Sequence, residues 1–202
     1  MDAIVKQAMA KWPNVPHCYG WLALDARGAW RMCDEHAQNL QLPGEKIVHR
    51  ALLDFINRNY THDERGCWYF QNGPQRVYVN LEATPYIART DPQHDFILHT
   101  GEILETIDSA WLTDNGQLIL ENTGRVAMVD DRDTMQCLEK LYVGETVVSD
   151  EQLAAWLTGP ATSDRLVLRY KDERITVSRI AADALAGRFG FIKTPDPLPS
   201  HA

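Results

Sequence analysis

One short turn phrase recurs along the chain and limits what it can fold into: DARGAW at 25–30, DERGCW at 63–68 and, more loosely, TDNGQL at 113–118. In the first two copies Asp opens the turn, because its carboxylate can accept from backbone amides two residues on. Gly then takes the left-handed position of a hairpin loop built on a type I turn. The third copy reads as a turn shortened to Asp114-Asn115-Gly116, and Asn-Gly between apolar runs is a strong hairpin signal. Strand-like segments flank each copy, so the phrase commits the chain to antiparallel hairpins. On this reading the phrase is scaffold and its Arg an exposed loop residue, although Arg27 and Arg65 could present a paired cation.

Between the turns the apolar spacing alternates between two periods. Ile4, Val5, Ala8 and Met9 predict a helix over Ala3–Lys11, ended by Pro13 and followed by an extended WPNVP arm. The run IVHRALLDFINRNY at 47–60 predicts an amphipathic helix, and DDRDTMQCLEKLY at 130–142 its counterpart. RVYVNLEA alternates, with Val77, Val79 and Leu81 on one face, and 67–88 reads as a meander of short strands. Ser149 and Gln152 form a capping-box signature for DEQLAAWL, closed by Gly159-Pro160, and RLVLRY and RITVSRI flank a third hairpin turn. The Trp-Leu pair recurs at 21–22 and 111–112. The expected class is α+β: antiparallel hairpins and meanders with one helix packed per repeat, in two hairpin–helix repeats at about 17–88 and 108–192. The expected organisation is a helix and extended arm at 1–16, a first α+β repeat at 17–92, a second at 93–192 and an extended Pro-rich tail at 193–202.

Charge then narrows the function classes. The net charge is −8 and the 20 Lys and Arg are scattered, which disfavours nucleic acid and an anionic membrane surface. The N-terminus lacks the apolar core of a signal peptide, and no window approaches the ~18 apolar residues of a membrane span. Cys18, Cys33, Cys67 and Cys137 are then expected as reduced thiols in a cytoplasm.

Catalytic and metal patterns are thin. Cys33 and His36 are the one close pair with approximate ligand spacing, and His17-Cys18, His94 and His99 add no second pair. Cys18 and Cys67 read as buried thiols rather than nucleophiles, and Asp130-Asp131-Arg132-Asp133 and Asp150-Glu151 read as helix starts. Serine-hydrolase and phosphate-loop patterns are missing. No catalytic residue, metal ligand or cofactor is assigned.

The aromatic residues Trp21, Trp30, Trp68 and Trp111 flank hairpins and read mainly as packing groups. The loop FQNGPQR nevertheless gathers polar side chains beside aromatic walls, which are the ingredients of a small-ligand pocket. Its candidate set is Trp68, Gln71, Asn72, Gln75 and Arg76, with Arg76 as partner for a ligand anion. The leading reading is a non-enzymatic cytoplasmic module that binds a small molecule or protein, of regulatory or signalling type. One alternative is an enzyme of unrecognised type using Cys and His residues brought together by the fold. Another is a structural protein that dimerises through a hairpin edge or apolar patch.

The stretches WPNVPHCYGWLALDARGAWRM and FQNGPQRVYVNLEATPYI resemble a proteobacterial family known only as a domain of unknown function. The hairpin–helix–meander order is also similar to a second uncharacterised bacterial family with repeated structural motifs, for which a signalling or ligand-binding role has been suggested. These resemblances imply a repeat-built α+β fold and carry over no functional residues.

Overall fold

The computed structural model describes residues 1–13, 15–159 and 165–197. Asn14 of the WPNVP arm, Pro160 behind the capping-box helix and residues 198–202 of the expected tail lie outside them. The chain packs as two compact units: Met1–Pro85 together with the segment from Gly190 onward, and Tyr86–Phe189.

The first unit contains, in order, α1 (Ala3–Lys11), β1 (Cys18–Leu24), β2 (Trp30–Met32), α2 (Glu35–Asn39), β3 (Glu45–Lys46), α3 (Arg50–Arg58), β4 (Tyr60–His62), β5 (Trp68–Asn72) and β6 (Gln75–Leu81). Its turns form as the recurring phrase requires. Asp25 Oδ1 accepts the Arg27 and Ala29 amides at 3.0 and 2.8 Å, and Asp63 Oδ1 accepts those of Arg65 and Cys67 at 3.0 Å each. Gly28 and Gly66 sit at φ 76° and 78°, the left-handed position.

The strands assemble in the order β3-β2-β1-β6-β5-β4. All neighbours are antiparallel except β1 and β6, which run parallel with Leu22 opposite Val79 and Leu24 opposite Leu81. A parallel pair needs a long crossover, and the chain between β2 and β6 supplies it. One face carries Leu22, Leu24, Trp30, Phe70, Val79 and Leu81, each nearly or fully buried, against α3. Phe55 of α3 meets the Phe70 ring edge-on, with centroids 5.4 Å apart. Each such apolar side chain contributes roughly 1.5–3 kcal/mol of burial.

The second unit contains β7 (Tyr86–Asp91), β8 (Asp95–Leu98), β9 (Ser109–Thr113), β10 (Leu118–Asn122), β11 (Arg125–Val129), α4 (Thr134–Leu138), β12 (Leu141–Val143), β13 (Thr146–Val147), α5 (Asp150–Thr158), β14 (Leu166–Tyr170), β15 (Glu173–Ile180) and α6 (Leu185–Phe189). Its sheet order is β13-β12-β14-β15-β9-β10-β11-β7-β8. Here β9 runs parallel to β15, and β11 parallel to β7. The run β10-β9-β15-β14-β12 therefore has the same pairing scheme as β2-β1-β6-β5-β4: a hairpin joined in parallel to the last strand of a meander. The α+β class with mainly antiparallel sheets stands. A boundary after residue 92 would fall in the turn between β7 and β8, which pair with each other inside this unit.

Three local expectations change. The third turn is not shortened: the Thr113 carbonyl accepts Gly116 N at 2.9 Å and its Oγ1 accepts Gln117 N at 2.8 Å, so Thr113 occupies the place of Asp25 and Asp63. The helix expected at 47–60 is confined to Arg50–Arg58, because Lys46 pairs with Arg31 in the sheet and the His49 ring accepts Leu52 N at the helix start. The helix expected at 130–142 is a 3-10 turn at Asp131–Asp133, the short α4, and then β12, since Leu141 pairs with Leu168. In both helices sheet pairing overrides the apolar period.

Gly66 and Gly116 share a turn type and a φ near 80°, but differ in surroundings. A Cβ on Gly66 would lie 1.9 Å from the Gly190 carbonyl oxygen, whereas one on Gly116 meets nothing within 4 Å. Gly116→Ala should cost about 1–2 kcal/mol of backbone strain. Gly66→Ala should exceed it by about 2 kcal/mol or more, since backbone must move. Urea unfolding of the two variants measures the difference; equal costs would contradict the Gly66–Gly190 packing.

Candidate functional site

Side chains alternate along a strand, so the face of the first sheet opposite α3 collects the other half of each strand. Tyr69 on β5 lies opposite Tyr78 on β6, and Gln71 opposite Arg76. Tyr19 from β1 stacks on Tyr78 with centroids 4.5 Å apart and planes 9° apart, made possible by the parallel β1–β6 pairing. His17 meets the same Tyr78 ring edge-on at 5.9 Å.

The DERG turn folds onto this aromatic layer. Asp63 Oδ2 accepts the Tyr78 hydroxyl at 3.0 Å and the Arg65 guanidinium at 3.0 Å. The Arg65 guanidinium lies 5.7 Å from the centre of the Tyr78 ring, and Arg76 lies over the Tyr69 ring at 4.7 Å. The result is a concavity of about 420 Å³ lined by His17, Tyr19, Asp63, Arg65, Arg76 and Tyr78, with Pro197 at its edge.

Its charge sets it apart. Two guanidiniums face one carboxylate, whereas a concavity of about 640 Å³ beside Asp25, Arg31 and Glu82 has two carboxylates to one guanidinium. A third, of about 390 Å³ in the second unit, has Asp91, Asp130 and Asp133 against Arg89 and Arg132. Arg31 is paired with Asp25 at 2.7 Å and Arg132 with Asp130. Arg76 forms no ion pair among the described residues, and the Asp63 carboxylate on the same lining favours its charge from further off. Burial works against ionisation of Asp63, but the bonds from Cys67 N, Arg65 and Tyr78 outweigh it and hold its carboxyl below the usual range. Partial burial and the Arg76 and Arg65 guanidiniums hold His17 below its ordinary value, so the ring is neutral at pH 7. Burial raises the Tyr19 and Tyr69 hydroxyls, leaving them as protonated donors.

The five residues read from the FQNGPQR loop do not share one surface. Trp68 is buried on the α3 face, tilted against Tyr60 at 4.8 Å. Asn72, also on that side of β5, is exposed, and Gln75 Nε2 donates to the Pro16 carbonyl at 2.9 Å. Gln71 is fully buried and serves the turn, donating to Gly73 O at 2.9 Å. Arg76 alone lines the concavity. Proximity in a loop is not convergence, because strand alternation sends neighbours to opposite faces. The Arg of the second phrase is an exposed turn residue, as expected, and its guanidinium pairs with Asp63 on the lining it shares with Arg76. The alternation Arg76–Tyr78 was legible in RVYV; Tyr19 and His17 arrive by a parallel pairing with no local signature.

Thiol chemistry finds little support. Burial raises Cys33 and Cys67, and pushes Cys137 up to about 12, away from the thiolate form a nucleophile needs. Among the described residues no three His, Cys, Asp or Glu side chains converge as metal ligands. His94 pairs with Asp91 at 2.9 Å, and no described helix is long and apolar enough to cross a membrane.

A family model labelled DUF2944 and described as a protein of unknown function (DUF2946) matches residues 1–196. This agrees with the resemblance carried by the two quoted stretches. A DUF1285 family protein from Silicibacter pomeroyi DSS-3 shares the fold at TM-score 0.50 and 10% identity, over 87% of this chain and 94% of that one. A DUF1285 family protein from Shewanella baltica OS155 aligns at TM-score 0.40 and 13% identity, over 57% of this chain and 88% of that one. No curated protein matches in sequence.

Because Asp63 titrates below its unfolded value of 3.8, its ionised form stabilises the fold above that pH, and the contribution disappears as pH falls through the lower folded value. Asp63→Asn should cost about 1–3 kcal/mol at pH 7 by leaving the turn amides and Tyr78 poorly paired. The variant should also lose stability less steeply between pH 5 and pH 2 than the parent. An unchanged acid limb in chemical denaturation would show that Asp63 carries no such linkage.

Proposed function

The chain belongs to this family of unknown function, and from that premise we propose that it is a non-enzymatic, cytoplasmic small-ligand-binding protein whose site takes an anionic group on the open sheet face of the first unit. The observation that carries the reading is the convergence of Arg65 and Arg76, from separate segments, on one tyrosine-lined concavity in a chain of net charge −8. Arg76 is held over the Tyr69 ring with no ion pair among the described residues, which leaves its planar donors to an incoming anion. Flat tyrosine rings and neutral hydroxyl donors around it resemble the apolar walls and few placed polar groups of small-molecule sites. Raised thiol pKa values favour binding over covalent turnover. A regulatory role fits such a site, with occupancy rather than product as its output.

A thermal-shift panel of carboxylate and phosphate metabolites tests this. At about 100-fold excess over Kd a ligand of the native state adds roughly 2.7 kcal/mol. Arg76→Ala should lose the shift and Cys18→Ala should keep it. A shift that survives Arg76→Ala, or no shift from any anion, would sink the reading.

A further inference from the structure

Resting on that anion-site reading, we infer that the ligand is a planar monocarboxylate, held by the Arg76 fork with its flat body against Tyr19. Charge selects a single negative group. The lining carries two guanidiniums and one carboxylate, with His17 neutral, so one negative charge completes it. A phosphate monoester brings about −1.5 to −2 at pH 7 and would leave excess negative charge beside Asp63.

The supply of donors favours a carboxylate over a phosphate. Phosphate sites draw on several backbone amides, at a helix start or in a turn-formed nest. The turn nearest this concavity has spent its amides: Arg65 N and Cys67 N on Asp63 Oδ1, and Gly66 N on the Asp63 carbonyl, all at 3.0 Å. Arg65 is itself committed to Asp63. What remains is one guanidinium, whose planar pair of donors matches the two oxygens of a carboxylate, with Tyr19 on the same lining.

Shape points the same way. Tyr19 lies flat on Tyr78, is only half-buried and lines the concavity. Offset stacking on such a ring favours a flat aromatic body beyond the area it buries. A planar acid gains that contact, and acetate does not.

Calorimetric titration of the full chain at neutral pH and low salt with benzoate, phenyl phosphate and acetate tests the assignment. Benzoate should bind at least about 10-fold more tightly than either of the others. Arg76→Lys should weaken benzoate by about 10-fold or more while the free protein keeps its folded circular-dichroism spectrum, since Lys keeps the charge but loses the fork. Phenyl phosphate binding as tightly as benzoate would overturn the carboxylate assignment and leave the anion site standing. Acetate matching benzoate would overturn the planar body. Failure of all three probes to bind would remove both this inference and the reading beneath it.

Discussion

The open face of the first unit hangs on the Asp63 carboxylate. One oxygen closes the DERG turn through the Arg65 and Cys67 amides, and the other takes the Tyr78 hydroxyl and the Arg65 guanidinium. A single side chain therefore fixes the turn geometry, the position of β5 beside β6, and the direction in which Arg65 points. A carboxylate accepting several bonds with little exposure is a stable ion, and its ionised state is the condition for the rest. Gly66 adds a second lock, because only a residue without Cβ lets the Gly190 carbonyl approach, which brings the C-terminal segment to this turn.

The same turn does different work in its three copies. Asp25 makes the equivalent amide bonds, but its second oxygen is taken by Arg31 from β2, a pairing that closes charge locally. Thr113 makes the turn with a hydroxyl and adds no charge. Only the second copy sits against tyrosines and a further arginine. A recurring turn can thus be scaffold at two positions and part of a site at the third, depending on what strand pairing sets beside it. In a chain of net charge −8, that placement produces a concavity with more guanidinium than carboxylate.

Local chemistry was the part of the fold legible in the sequence. The bounds of α1, the left-handed glycines of the turns, the Ser149–Gln152 capping box and the hairpin of β14 and β15 all follow from neighbours within a few residues. What escaped depended on distant partners. Lys46 and Leu141 belong to strands because Arg31 and Leu168 lie across from them, and helical spacing carries no record of that. The parallel pairs β1–β6 and β9–β15 join segments separated by most of a unit. The candidate site suffered the same way: Arg76 was found as the natural anion partner, whereas its companions Tyr19, His17 and Arg65 reach it through the parallel pairing and the folded-back turn. Trp68 and Arg76 are close in sequence, and the pleat puts them on opposite faces.

The central claim is that Arg76, with Arg65 beside it, is where an anion docks. The most direct measurement is side-chain NMR of the arginine Nε–H groups during titration with a small carboxylate. The account predicts that the Arg76 resonance moves saturably, while Arg31, already paired with Asp25, stays in place. An Arg76 resonance that remains fixed while groups around Arg31 and Asn80 shift would contradict it, and would move the site to the larger concavity on the same sheet.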